Sequence, residues 1–306
     1  MTGSSSDSTA AYYPIRVVAS ETGINAITLR AWERRYGLIE PKRTAKGHRL
    51  YTEQDIQLIK QIVSLLNRGI PISQAQAMVA NGETLSESST GAAKPSQWQV
   101  YREQLFGACL QFDERELARI FDEVCQFFPV EMALRFLFIP FCDQLREQTT
   151  QSLGSARLSF YESFLQSRLA WRLSDASQKA ADTRVLVANC TSTADINLLF
   201  ASLLIRQLGL GITHISQLTS TEQVIRLMNE ARNWPVAILQ IEPAPAAERL
   251  KQLHQVAAET GMPIFVMGAT PEYYPRLKDC GLIPLATDDL QSAALTVRDI
   301  VEGMIA

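Results

Sequence analysis

The sequence predicts a mainly α chain with an α/β portion: a winged helix-turn-helix head, a four-helix bundle, and a flavodoxin-like domain with a five-stranded parallel sheet. Three observations carry this expectation. Residues 13–80 place two short helical stretches around Gly23 and follow them with a basic, glycine-containing hairpin. Residues 97–180 repeat apolar positions every three or four residues through LFGACLQF, LARIFDEVCQFF, VEMALRFLFIPFCDQL and FYESFLQSRLAWRL, with Pro129 and Pro140 as bends or helix starts. From Thr183 the rhythm changes to short apolar runs (RVLVAN, GITHISQL, VAILQI, IFVMG, LIPLAT) alternating with helical stretches, as parallel strands buried on both faces require.

The elements follow in order. Residues 1–12, rich in Ser and Thr with neither a basic start nor an apolar core, read as a disordered tail and not as a signal peptide. In the head, Ile15, Val17, Val18 and Ala19 begin a helix, Gly23 turns the chain, and a second helix runs over about Ala26–Tyr36. Ile27, Leu29 and Trp32 face its core, while Arg30, Arg34 and Tyr36 lie elsewhere on its surface. Gly47 suits a tight turn between two short strands, a wing carrying Lys42, Arg43, Lys46, His48 and Arg49. Thr52 with Asp55 forms a capping box ahead of IQLIKQIVSLLNRG. Residues 81–96 (NGETLSESSTGAAKPS) read as a linker, 97–180 as the bundle and 181–306 as the doubly wound domain. Its longest apolar run, Ile196–Ile205, suits a buried helix and is too short to span a membrane.

Composition bounds the function. The chain has 306 residues, 46% hydrophobic and 20% charged, which is globular composition divided among two or three domains. Five cysteines, an odd number without a Cys-x-x-Cys pair, read as buried free thiols in a reducing cytoplasm. The net charge of −3 argues against nucleic acid only as a total. Residues 1–80 carry ten Lys/Arg against six Asp/Glu, a balance of +4, so the remainder stands at −7. Within 30–49 the balance is seven basic to two acidic. Screening limits a charge's reach to about 8–10 Å, so a phosphate backbone feels the local balance.

The stretch ITLRAWERRYGLIEPKRTAKGHRLYTEQDI resembles the MerR family of transcription regulators, in the form typical of its CarH/CarA and MlrA-like branch, and the resemblance is continuous over about seventy residues. It implies that Arg30 and Arg34 face the DNA groove. It also implies that Arg35, Tyr36, Lys42, Arg43, Lys46, His48, Arg49 and Tyr51 touch the backbone or the wing-side groove. The implied partners are double-stranded DNA at an operator or promoter, RNA polymerase if the protein activates, and a second copy, because two heads meet two half-sites. CarH-type relatives repress and MlrA-like relatives activate, so the sign stays open.

The resemblance extends to the body, where CarH-type members hold adenosylcobalamin. Their signature after the first strand of the α/β domain is Asp/Glu-x-His-x-x-Gly, whose imidazole ligates cobalt. Here that stretch is NCTSTADIN, 189–197. One register puts Ala194 at the His position and Asn197 at the Gly position, whereas matching the acid at Asp195 puts Asn197 at the His position. In the bundle's Trp-x9-Glu-His motif, Ser or Leu takes the Trp place, Ser163 or Phe164 the His place, and only Glu162 remains. The expectation is a degenerate cobalamin-type module with no cofactor and no metal. The alternative is a regulator gated by cobalamin or another small molecule. A third reading is an interaction adaptor whose head merely anchors it. No GxGxxG follows the first strand, and neither GxxxxGK[ST] nor HExxH occurs, so the chain is not expected to be an enzyme.

Overall fold

A computed structural model describes residues 12–24, 26–81, 96–174, 183–192, 196–218, 221–231, 234–286 and 290–305, with the side chains of residues 27, 35, 221, 231 and 305 excepted. The expected tail therefore lies outside the described residues except for Tyr12, and so does the expected linker except for its two ends. The chain divides into two compact units, Met1–Phe164 and Leu165–Ala306. The head and the helical region as far as Phe164 thus belong to one unit.

The head opens with strand β1 (Tyr12–Pro14), then helices α1 (Ile15–Thr22) and α2 (Ala26–Tyr36). Gly23 at φ +69° ends α1 and donates its N–H to the Ala19 carbonyl, the left-handed stop that glycine adopts at low cost. Strands β2 (Lys42–Arg43) and β3 (Arg49–Thr52) form the wing, and Thr44–Gly47 closes it with Gly47 at φ +82°. The three strands run antiparallel in the order β1-β3-β2. Helix α3 (Glu53–Asn67) begins at the Thr52–Asp55 capping box, with both reciprocal bonds present, and α4 (Ile72–Ala80) follows. Val18, Leu29, Trp32, Ile56, Ile59, Ile62 and Leu66 are buried and make the core. Each is worth about 1.5–3 kcal/mol in apolar transfer.

The bundle comprises α5 (Gln97–Gln111), α6 (Glu114–Phe127), α7 (Val130–Ala133), α8 (Ile139–Glu147) and α9 (Gly154–Ser174). Residues Leu134–Phe138 join α7 to α8 through one wide π-type turn, ahead of Pro140 in the first turn of α8. Proline offers no N–H to the helical ladder, and a widened turn absorbs the mismatch. Phe121 and Phe138 stack at 4.9 Å, while Phe141 and Tyr161 meet edge to face at 4.9 Å.

The second unit holds strands β4 (Arg184–Asn189), β5 (Gly211–Ile215), β6 (Ala237–Gln240), β7 (Ile264–Met267) and β8 (Ile283–Pro284). All are parallel, in the order β5-β4-β6-β7-β8. Helices α10 (Ile196–Gln207), α11 (Thr221–Ala231), α12 (Ala247–Thr260), α13 (Tyr274–Asp279) and α14 (Leu290–Ile305) alternate with them. This is the doubly wound sheet that the apolar runs predict. Helix α10 is buried at Ile196 and from Leu198 through Ile205, as its composition requires. The last strand, Ile283–Pro284, is shorter than LIPLAT suggests, although Leu285 N–H still donates to the Val266 carbonyl at 2.8 Å. Among the described residues no helix is long and apolar enough to cross a membrane.

Candidate nucleic-acid interface

Helix α2 and the wing are held together by one carboxylate. Glu33 on α2 accepts from Arg49 twice, Nε at 2.5 Å and Nη2 at 3.1 Å, and from Arg43 Nη2 at 3.1 Å. Two parallel N–H donors on one carboxylate give a fixed fork geometry. The Arg49 hydrogen bond foremost holds the Glu33 carboxyl below its ordinary value, burial opposes it, and Arg49 and Arg43 charge adds to the lowering. A carboxylate whose folded-state value is lowered stabilises the head above the ordinary carboxylate range, and loses that contribution as pH falls through the lowered value. Glu33 is absent from the residues expected to matter. Its one signal in the sequence is that it is an acid within a basic run.

The clamp leaves other cations outward. Arg30 and Arg34 on α2 and Lys46 and His48 at the wing tip are exposed. Lys42 is also exposed and donates to the Tyr12 hydroxyl, with its ammonium 5.0 Å from that ring's centroid. Arg43 is exposed but leans on Glu33, and Arg49 keeps 24% of its side chain exposed. Arg35 lies on α2, but its side chain is outside the described residues. Tyr36 is half-buried, its hydroxyl 3.5 Å from the Gln126 carbonyl.

Tyr51 does not fit the expected role. It is 1% exposed, and its hydroxyl has no hydrogen-bond partner. Burial foremost raises its pKa to about 12. It lies centrally in β3, opposite Tyr13 of β1, where the pleat turns it into the head's core. Tyr51→Phe is therefore expected to leave DNA affinity within twofold and to change stability by about 0–1 kcal/mol in the favourable direction, because an unsatisfied buried hydroxyl is removed. Gel shifts and urea denaturation of the full chain read both. A loss of affinity above tenfold would return Tyr51 to the interface.

The second unit brings two amides together at the carboxyl end of its sheet. The order β5-β4-β6 reverses between β4 and β6, and there Asn189 pairs in register with Gln240. Asn189 Oδ1 accepts from the Thr191 N–H at 3.0 Å and hydroxyl at 2.8 Å. Gln240 is 6% exposed, and its Oε1 has no partner. Its carboxamide lies over Gly268, where an added Cβ would stand 2.2 Å from Gln240 Nε2. Asn197 is half-buried in the first turn of α10, and Ala194 lies outside the described residues. No histidine occupies the end of β4 itself, and His214 lies in the neighbouring strand β5, in register with Val187. His48 is in the wing, His214 Nδ1 is 3.3 Å from Ser202 Oγ, and His254 Nδ1 is 2.7 Å from the Cys280 carbonyl. In the bundle, Glu162 accepts from Arg146 Nη2 at 3.0 Å, Ser163 is exposed, and Phe164 meets Phe121 edge to face at 6.1 Å. Among the described residues no three His, Cys, Asp or Glu side chains gather as a metal site.

Comparison with known proteins agrees with the head's geometry. The MerR HTH family regulatory protein model matches residues 13–81. The transcriptional regulator MlrA of Salmonella typhimurium is 30% identical over 177 residues, covering 58% of this chain and 69% of that protein. The chain belongs to the MerR family of transcription regulators. The transcriptional repressor CarH of Myxococcus xanthus is 27% identical over 267 residues, 84% of this chain and 89% of its own length. A cobalamin-binding protein of Desulfitobacterium hafniense overlaps 66% of this chain and 98% of its own, with a TM-score of 0.32 at 12% identity. In this MerR-family head, α2 is the second of the two helices joined at Gly23. The chain is a DNA-binding transcriptional regulator, and its relatives are named as regulators, not as enzymes.

Proposed function

We propose that this regulator reads a specific double-stranded operator through α2 and the wing, as a dimer or higher oligomer in the cytoplasm. We also propose that its body does not hold cobalamin in the family's manner. One observation carries the first half. The Glu33 clamp fixes the wing beside α2, while Arg30 and Arg34 stay exposed on that helix. Arg30 and Arg34 supply base contacts, and Lys42, Lys46 and His48 supply phosphate contacts. Two half-sites call for two heads, and RNA polymerase is a partner if the output is activation.

The second half rests on chemistry. Cobalt coordination in the family's mode needs an imidazole at the end of β4, and all three histidines of the chain are engaged or placed elsewhere. The volume over Gly268 is taken by the Gln240 carboxamide. These residues do not fit the cofactor. The partnerless Gln240 Oε1 favours a second reading, in which a different small ligand with a hydrogen-bond donor gates the regulator.

One preparation tests both halves. Wild type and Arg34→Ala are bound to a randomised duplex library, and visible absorption spectra are taken with and without added hydroxocobalamin. Arg34→Ala is expected to lose about 5- to 100-fold discrimination at the bases it reads, since a good base contact is worth about 1–3 kcal/mol. Identical sequence profiles for the two proteins would overturn the assignment of α2. Stoichiometric cobalamin retained through gel filtration would overturn the cofactor-free body.

A further inference from the structure

Helix α2 is supported from behind, on the face opposite its exposed arginines. At 3.6 residues per turn, Thr28, Trp32 and Tyr36 fall within about 80° of one another, and Arg30 and Arg34 fall about 180° from them. Thr28 donates its hydroxyl to Glu131 Oε1 at 2.8 Å. Glu131 sits in α7 and is 6% exposed, a carboxylate placed inside the protein. Eight residues further along α2, about 12 Å at 1.5 Å per residue, the Tyr36 hydroxyl lies 3.5 Å from the Gln126 carbonyl near the end of α6. Both supports belong to one corner, residues 126–131, where Pro129 precedes α7. Phe128 of that corner packs on the buried Trp98, ring centroids 4.1 Å apart. Trp98 in turn meets the head between α3 and α4, where a Cβ on Gly69 would stand 3.1 Å from Trp98 N and Cδ1.

We infer that Glu131 is a positioning residue for sequence reading: from behind α2 it fixes, through Thr28, the N-terminal part of the helix whose far side presents Arg30 and Arg34 to DNA. The inference rests on the proposed reading of α2 as the DNA-reading helix and adds to it a residue that does not touch the duplex. In a helix-turn-helix, the N-terminal residues of the second helix meet the base edges. A side chain that must set its donors on a base edge tolerates a displacement of about 0.5 Å, so the helix carrying it must itself be held. Glu33 ties α2 to the wing on one side, while Thr28 and Tyr36 hold it from the back at two points along its length. Two such points fix the direction of the helix axis, which one clamp does not. The Thr28 bond is the stronger of the two, because a hydroxyl on a carboxylate at 2.8 Å is charge-assisted, whereas the Tyr36 contact stands at the outer limit of hydrogen-bond distance. The wing travels with α2 through the Glu33 clamp, so its phosphate contacts survive a small displacement of the helix. Loss of Glu131 therefore separates two components of affinity: base contacts weaken and phosphate contacts persist.

The test uses the full chain, with circular dichroism as the check on folding. Affinities of wild type, Glu131→Ala, Glu131→Gln and Thr28→Val are measured for the selected operator and for a random duplex of the same length. Glu131→Ala is expected to lose about tenfold in operator affinity while its random-duplex affinity stays within about twofold of wild type. Glu131→Gln keeps an oxygen acceptor in the same place, and its discrimination is expected to stay within about twofold of wild type. Thr28→Val removes the same bond from the other side, with the same loss of discrimination expected, and serves if Glu131→Ala does not fold. Wild-type discrimination in a folded Glu131→Ala or Thr28→Val overturns the inference. Equal losses on both duplexes also overturn it, because they report a general weakening of the head and not a misplaced helix. A Gln variant as impaired as the Ala variant overturns the role of the Thr28 bond. Wild-type and Arg34→Ala profiles that coincide would instead overturn the DNA-reading role of α2, whatever the Glu131 variants do.

Discussion

Arg49→Ala is expected to weaken binding to operator and random duplex alike by about ten- to a hundredfold, and Glu33→Gln in the same chain is expected to restore a large part of that loss. Arg49 places two N–H donors on Glu33, and charge-assisted hydrogen bonds of this kind are worth about 1.5–3 kcal/mol. Its removal leaves the Glu33 carboxylate, only 19% exposed, with Arg43, whose side chain is 53% exposed. The wing then loses its tie to α2, and an undercompensated negative charge faces the DNA. Neutralising Glu33 removes the second penalty and leaves the first. If Arg49 acted as a phosphate contact instead, Arg49→Ala would lower the slope of log affinity against log salt by about one, and Glu33→Gln would rescue little. Filter binding of the two single variants and the double variant across a salt series separates these outcomes. Because the Glu33 carboxyl is held below its ordinary value, wild type keeps the clamp through mildly acid solution, and affinity should fall only as pH drops through the lowered value.

That clamp marks where the sequence stops being legible. Local signals translated directly into structure: Gly23 as a helix stop, Gly47 as the wing turn, and Thr52–Asp55 as a capping box. They did so because each acts over four residues or fewer, and backbone sterics decide them. The central strands β4, β6 and β7 were legible because a strand buried on both faces has few polar positions to disguise it, whereas the edge strands β5 and β8 are half-buried. Glu33 pairs with residues 10 and 16 positions away through a hairpin, and no periodicity encodes such a distance. The burial of Tyr51 was hidden for a related reason. A tyrosine beside basic residues looks like an interface residue until β1 pairs along the edge of β3 and places Tyr51 centrally in a three-stranded sheet, on the side that is buried. That pairing strand is three residues long and begins at Tyr12, within the stretch read as tail. The contact of Thr28 with Glu131 spans 103 positions and joins two segments that the sequence presents as separate domains.

The largest expected effect on folding comes from one added carbon. Gly268→Ala should destabilise the second unit by about 2–4 kcal/mol. Gly268 follows β7 at φ +91°, a conformation that costs an L-residue about 1–2 kcal/mol. Its Cβ would stand 2.5 Å from the Ile241 carbonyl and 2.2 Å from Gln240 Nε2, overpacking of a kind that costs about 1–3 kcal/mol more. Gly261 is the control within the same unit. It sits at φ +66° with nothing within 4 Å of its would-be Cβ, so Gly261→Ala carries the backbone cost alone. Urea denaturation of the two variants reads the difference, and equal losses would mean that Gln240 does not occupy this space. Adding Gln240→Ala to Gly268→Ala removes the side-chain half of the crowding and leaves the Ile241 carbonyl in place, so rescue should be partial. The crowding bears on function as well as stability. Gln240 ends β6 opposite Asn189 at the switch point, the position where a doubly wound sheet holds its ligands. A side chain packed there against Gly268 occupies space at that switch point, in line with the cofactor-free body proposed above.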